Sequence, residues 1–283
     1  MAEHTLETVM AQHHFETHEP VSLYVEIGKG AVNVTATETT ETHIEITGKD
    51  ADQVQVEQSG RQISIIAPHQ RSGFFNGDSS LHVVVTVPTG SDFATKTGSA
   101  DITVDGALAN GQVKTGSGAV TLDQFTGPCV VETGSGDVLM EKAGGALRIK
   151  SGSGDVTLRH AEESVTVSTG SGDVEIGTNN GPAAVKTGSG DLWVEDAGTD
   201  VSLASGSGDL TVGRARRGKV TVKGASSDVQ IGIPAGTPVW TDLSTVSGVI
   251  HSNLEGVGQP EEGADHVELR AKTVSGDIVL RQV

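Results

Sequence analysis

The sequence predicts an all-β fold, a parallel β-solenoid (β-helix) of 18-residue coils, and three regularities carry that expectation. Seven glycines, Gly98, Gly116, Gly134, Gly152, Gly170, Gly188 and Gly206, stand eighteen residues apart with no insertion between them. Six of them are followed three residues later by an aspartate, Asp101, Asp137, Asp155, Asp173, Asp191 and Asp209, with Ala119 as the one break. Apolar residues fill further columns at the same spacing, and a fixed period of this length marks a repeat protein.

Taken in order, residues 1–14 are polar and without period, which predicts a disordered tail. His13, His14 and His18 fall in or beside it. The i, i+4 spacing of His14 and His18 would suit a metal on one helix face, but Pro20 and the strand-like residues after it argue against a helix, so solvated histidines are expected. Residues 15–90 alternate apolar and polar residues in short runs such as Leu23–Ile27, Val32–Val34, Ile44–Ile46 and Val83–Val87, with Gln58–Gln62 as a hairpin turn. This stretch predicts an N-terminal β cap, which a solenoid needs because an uncovered end strand offers its backbone to any neighbour.

Residues 91–231 hold the regular repeat. Three residues before the glycines stand Val113, Val131, Ile149, Val167, Val185 and Leu203. One residue after the aspartate column come Ile102, Val120, Val138, Val156, Val174, Leu192 and Leu210, and two further on Val104, Leu122, Met140, Leu158, Ile176, Val194 and Val212. This is the period-two pattern of strands with one buried face. A smaller column, Ala107, Phe125, Ala143, Ala161, Ala197 and Ala215, marks the next bend. Each coil therefore reads as a strand V-x-T, a tight turn G-S-G-D, a strand V-x-V and a variable second turn, the glycines supplying positive φ for the reversal. The rule for parallel crossovers favours a right-handed solenoid. Residues 232–283 predict irregular C-terminal coils, Thr245–Val249 and Thr273–Ile278, with insertions at Ile233–Pro238 and Gly256–Gly263 whose prolines cannot serve an interior ladder.

Composition narrows the function. Nineteen Lys and Arg against 37 Asp and Glu give a formal charge of −18, which repels phosphate backbones and anionic lipid, so neither nucleic acid nor membrane insertion is expected. The single cysteine, Cys129, excludes an internal disulfide framework. The first ten residues lack the basic and apolar regions of a signal peptide, and no run reaches the length of a membrane span, so a cytoplasmic location is expected.

The T-G-S-G-D-V repeats, the segment Val25–Val34 and the closing Thr273–Ile278 together resemble a bacterial β-strand-repeat family labelled "putative adhesin", a domain of unknown function, over residues 15–283. The resemblance implies a β-helical fold and no known enzymatic activity.

Coils stacked ~4.8 Å apart would place the aspartates in a ladder whose neighbouring charges repel by roughly 1 kcal/mol in water. Backbone N–H groups of each aspartate's own turn are the expected compensation, and a Ca²⁺ ladder on Asp101, Asp137, Asp155, Asp173, Asp191 and Asp209 is the alternative. Calcium β-rolls repeat G-G-x-G-x-D-x-U-x, whereas here glycine and aspartate adjoin, and one carboxylate per coil supplies few of the oxygens Ca²⁺ requires. Gly213–Val220 nearly spells a P-loop, but Val220 replaces the Mg²⁺-binding hydroxyl. Arg214, Arg216, Arg217 and Lys219 are the basic cluster of an acidic chain and could dock an acidic partner or form a solvated turn. Phe74 and Phe75 sit in a glycine-bearing loop as interface candidates. Trp193 falls on an outward strand phase, and 3% aromatics leave no stacking platform. No G-x-S-x-G, H-E-x-x-H or paired-cysteine motif occurs. The expectation is a non-catalytic scaffold with no cofactor and an unknown protein or surface partner, open to self-association through the solenoid ends. A Ca²⁺-binding β-roll and a polysaccharide-active β-helix enzyme are the alternatives.

Overall fold

The computed structural model describes residues 9–68, 80–255 and 265–283. The fold is all-β, with parallel strands stacked as a solenoid, and the chain divides into two compact units, Met1–Val138 and Leu139–Val283.

The first unit contains β1 (Val9–Glu16), β2 (Ser22–Thr37), β3 (Glu41–Gly48), β4 (Gln55–Ser59), β5 (Gln62–Ile66), β6 (Leu81–Pro88), β7 (Asp92–Leu108), β8 (Gly111–Thr115), β9 (Val120–Phe125) and β10 (Cys129–Thr133). The two long strands β2 and β7 run parallel from Ser22↔Asp92 to Thr35↔Asp105. On the other edge of β2, its first half pairs with β5 and its second half with β6, both parallel. Beyond them the direction reverses: β4 is antiparallel to β5, β3 to β6, and β1 to β3. The cap is thus two antiparallel extensions, and the exposed Gln55, Glu57 and Gln58 of β4 give one of them the polar rim that discourages further pairing.

Two features depart from the sequence reading. Residues 9–14, taken as tail, belong to β1, where half-buried Val9, Ala11, His13 and Phe15 alternate with exposed Met10, Gln12, His14 and Glu16. Period two prevails there over polar composition; residues 1–8 lie outside the described residues. In the bend column, a register shift between Val104 and Ala107 places Leu108, not Ala107, opposite Phe125. Gly106, at φ 86°, allows that extra residue to be absorbed.

The second unit continues the coils. It holds β11 (Val138–Ala143, which begins at the boundary), β12 (Leu147–Ser151), β13 (Val156–Ala161), β14 (Val165–Thr169), β15 (Val174–Asn179), β16 (Ala183–Thr187), β17 (Leu192–Ala197), β18 (Val201–Ser205), β19 (Leu210–Ala215), β20 (Gly218–Gly224) and β21 (Val229–Ile233). The even strands β12 to β20 pair in one parallel series and the odd strands β13 to β21 in another. Every residue of the three predicted apolar columns is 2% exposed or less. Each such Val, Leu or Ile contributes about 1.5–3 kcal/mol relative to exposure.

The last four strands are β22 (Val239–Ser247), β23 (Ile250–Ser252), β24 (Val267–Ser275) and β25 (Ile278–Gln282). They do not stack in chain order. β24 pairs with β20 on one side and β22 on the other, and β25 lies likewise between β21 and β23. The final coil is therefore inserted between the two coils that precede it in sequence.

Candidate interaction surface

In the T-G-S-G-D turns the threonine, the two glycines and the aspartate each have a separate physical task. The buried Thr169 and Thr187 hydroxyls accept the N–H of Gly172 and Gly190 at 3.1 and 3.0 Å, and Ser151 does the same for Gly154 at 2.9 Å. This column of hydroxyls closes the turn from inside, a role that the sequence reading passed over although the T-x-x-G spacing signals it.

The glycines are required by close approach rather than by positive φ. Among the described residues positive φ is confined to Gly30, Gly48, Gly60, Gly90, Gly106, Gly218, Gly236 and Gly276, none of them in the seven-fold column. Instead, a Cβ on Gly170, Gly188 or Gly206 would lie 2.5 Å from the carbonyl oxygen of the preceding coil's glycine. On Gly172, Gly190 or Gly208 it would lie 1.9–2.1 Å from the corresponding oxygen. Successive turns can rest on one another only without side chains.

The aspartates form a ladder, but their hydrogen bonds run between coils, not within each turn. Asp155 Oδ1 accepts the backbone N–H of Asp173, Asp173 Oδ1 that of Asp191, and Asp191 Oδ1 that of Asp209, each at 2.8 Å. The series passes through Asp228 to Asp277 and then back in sequence to the N–H of Val249, at 3.2, 2.8 and 2.7 Å. It thus follows the spatial order of the inserted coil. In the first unit Asp101 Oδ1 accepts from Ala119 at 3.0 Å, so the break in the column still receives its hydrogen bond. These contacts offset the repulsion between neighbouring carboxylates.

The outward walls carry mixed charge. Arg214 and Arg216 share Asp196 of the neighbouring coil; Arg217 donates to Gly198 O at 3.0 Å and lies 3.8 Å from Asp265. Lys219 Nζ lies 3.8 Å from Glu268, which Arg270 also meets at 2.6 Å. The four predicted basic residues do gather on one surface, and acidic neighbours lace it. Arg270 also lies over the Trp240 ring at 5.5 Å. Trp193 is 53% exposed on β17, as its strand phase requires. Phe74 and Phe75 lie outside the described residues.

The β22–β23 coil differs from every other wall. Among the described residues its strands pair only with β24 and β25, and Trp240, Val246, Val249 and Ile250 stand exposed on it, with Val274 alongside. Val246 and Val274 occupy the turn position that glycine fills in the regular coils, and Val249 the aspartate position, so the polar turn chemistry ends in an apolar patch.

A hollow of about 280 Å³ beside this coil is lined by Pro234, Thr237, Thr241, Ser252, Leu254 and Glu255 among others, and Glu255 is its one titratable side chain among the described residues. Cys129 is buried, and burial pushes its thiol up to about 12. Tyr24 is also raised to about 12, chiefly by its 2.6 Å hydrogen bond to Glu26, with burial and the carboxylate charge adding. No described helix is long and apolar enough to cross a membrane.

The chain is similar to a putative adhesin from Bacteroides fragilis, at 12% identity over 97% of both chains with a TM-score of 0.42. It is similar to a putative adhesin from Parabacteroides merdae, at 13% identity over 97% of this chain and 96% of that one, TM-score 0.38. A putative lipid binding protein from Parabacteroides distasonis shows 16% identity over 97% and 96%, TM-score 0.38. No curated protein matches. The family described as Toastrack DUF4097 matches residues 22–281, from the first long strand to the inserted final coil, and the chain belongs to it.

Proposed function

We propose that the protein is a non-catalytic, adhesin-like scaffold whose work is to present the β22–β23 coil to a protein or surface partner. The observation that carries this reading is the contrast between that coil and the regular ones. In the regular coils the turn hydroxyls close each turn and the glycines and carboxylates hold coil to coil, whereas on the last coil Trp240, Val246, Val249 and Ile250 are left exposed. An exposed apolar patch on an otherwise charged chain is the usual mark of an interaction surface. Among the described residues the hollow beside it is lined by one carboxylate, Glu255. Self-association through the solenoid end is one form such an interaction could take. The cytoplasmic location expected from composition belongs to the same proposal and is checked by fractionating the native cell.

Two measurements test the reading. A photo-crosslinking residue placed at Val246 should capture a discrete species in the native cell, and one at Thr166, on a regular wall, should not. Screening against plant, bacterial and host polysaccharides for new reducing or unsaturated ends should give nothing; turnover abolished by one carboxylate substitution would replace the scaffold with an enzyme.

A further inference from the structure

β1 brings His14 against two side chains that lie 27 and 29 residues away in the sequence, Glu41 and His43. In the antiparallel β1–β3 pair, His14 stands directly opposite His43, and Glu16 opposite Glu41. All four lie on the outward phase of their strands, so the imidazoles meet in solvent-accessible space. The two ring centroids are 4.3 Å apart at 56°, and the two Nδ1 atoms are 3.1 Å apart. Behind the rings sits Glu41, with Oε2 3.2 Å from His43 Nε2 and Oε1 3.7 Å from His14 Nε2. Among the described residues these three form the one group of His, Cys, Asp or Glu able to bring three ligand atoms within 4.8 Å of each other; the aspartate ladder is not such a group.

Proton bookkeeping shows what this geometry lacks. An ionised carboxylate only accepts, so the nitrogens facing Glu41 are best occupied by N–H groups. A neutral imidazole carries one N–H, and placing it at Nε2 leaves a bare lone pair on each Nδ1. The two Nδ1 lone pairs then face each other at 3.1 Å, a gap closed either by a proton on one Nδ1, which makes the contact a hydrogen bond, or by a metal ion that both nitrogens ligate. Two nitrogens on a tetrahedral zinc, at about 2.0–2.1 Å each, lie about 3.3 Å apart. The observed separation is within a few tenths of an ångström of that value. A carboxylate hydrogen-bonded to the far nitrogen of a ligating histidine is also the arrangement that fixes tautomer and ring orientation in metal sites.

We propose that His14 and His43 bind a divalent transition metal of the imidazole-preferring class through their Nδ1 atoms, with Glu41 as the carboxylate that orients both rings. Zinc is the probe of choice. With two protein nitrogens and the remaining positions open to solvent, the site is weaker than a closed four-ligand zinc centre. Its position gives it a consequence: β1 is paired only with β3 among the described residues, and a metal across the His14–His43 pair would fasten that outer strand to the cap.

The test uses the full chain, freed of any affinity tag and stripped with chelator, titrated calorimetrically with zinc chloride. One equivalent should bind. His14→Ala and His43→Ala should each abolish that event, and Glu41→Gln should weaken it about 10- to 100-fold. His160→Ala and His251→Ala, on the second unit, should leave it unchanged. Amide exchange in β1 should slow on adding zinc to the natural chain and stay unaltered in His14→Ala, a readout that separates a local staple from loosely bound metal. Failure to saturate at one equivalent, or binding that survives the His14→Ala/His43→Ala double substitution with the β circular dichroism spectrum intact, overturns the proposal.

Discussion

Gly188 and Gly28 occupy the same column, yet alanine should affect them very differently. At Gly188 the new methyl would meet the Gly170 carbonyl oxygen at 2.5 Å, while at Gly28 nothing among the described residues lies within 4 Å. Gly188→Ala should lose about 1–3 kcal/mol, the usual cost of overpacking, and Gly28→Ala should stay close to the natural chain in a denaturant titration. Asp191 separates charge from hydrogen bonding. Asp191→Ala removes the acceptor for the Asp209 N–H and should cost about 1 kcal/mol. Asp191→Asn keeps an acceptor at Oδ1 and removes the repulsion from Asp173 and Asp209, so its stability should match or exceed the natural chain, most visibly at low salt. Cys129 adds a pH dependence. Its folded thiol is held up to about 12, whereas the unfolded one ionises near about 8.5, so the unfolded state releases the proton first and stability falls as pH rises through that window. The slope contributed is at most ~1.4 kcal/mol per pH unit. Urea melts of Cys129→Ala should lack the part of the decline that begins near the thiol's unfolded value and keep the later part due to Tyr24, raised from 10.0 to about 12.

A coil is the next unit of reasoning, and its period is testable. Deleting Ser153–Gly170 joins Gly152 to Ser171 and restores a Ser-Gly-Ser-Gly-Asp turn, so the shortened chain should fold with the same β spectrum and a stability lower by one coil's contribution. Deleting only Ser153–Ala161 places a turn where β13 should run and misaligns the apolar columns after it, so this variant should not melt cooperatively. Equal folding of the two would make the half-coil the true repeat. The coils were legible in the sequence because each column recurs in register and burial selects it: every residue of the three strand columns is buried, and in the bend column Leu108 is buried in place of the half-buried Ala107. What the sequence concealed has physical causes. β1 hid behind Gln12, His14 and Glu16 on its outward phase and a histidine, His13, on its inward one, with only Val9, Ala11 and Phe15 as the inward apolar signal. The glycines' close approach could not be told from a need for positive φ, since both select the same residue. The apposition of His14 with His43 required the β1–β3 register, which follows from no local pattern.

Across the whole chain the net charge of −18 leaves the protein with an excess of carboxylates, yet those in the ladder are engaged by backbone N–H groups. Calcium should therefore add little. A cation bound only by the native state at a hundred times its dissociation constant would contribute ~2.7 kcal/mol; adding millimolar Ca²⁺, or removing it with a calcium-selective chelator, should leave the melting temperature nearly unchanged. A large calcium-dependent rise would restore the β-roll alternative. The interleaved closing coil has a further consequence, which concerns synthesis rather than equilibrium. A solenoid whose coils stack in chain order can be completed turn by turn as it leaves the ribosome, each new strand finding its partner already in place. Here β22 and β23 emerge before β24 and β25, the strands they pair with in the native stack. They must wait for the last residues of the chain. A premature stop after Ser252 would accordingly forfeit two coils and not one, since the coil already made would have no native edge to join.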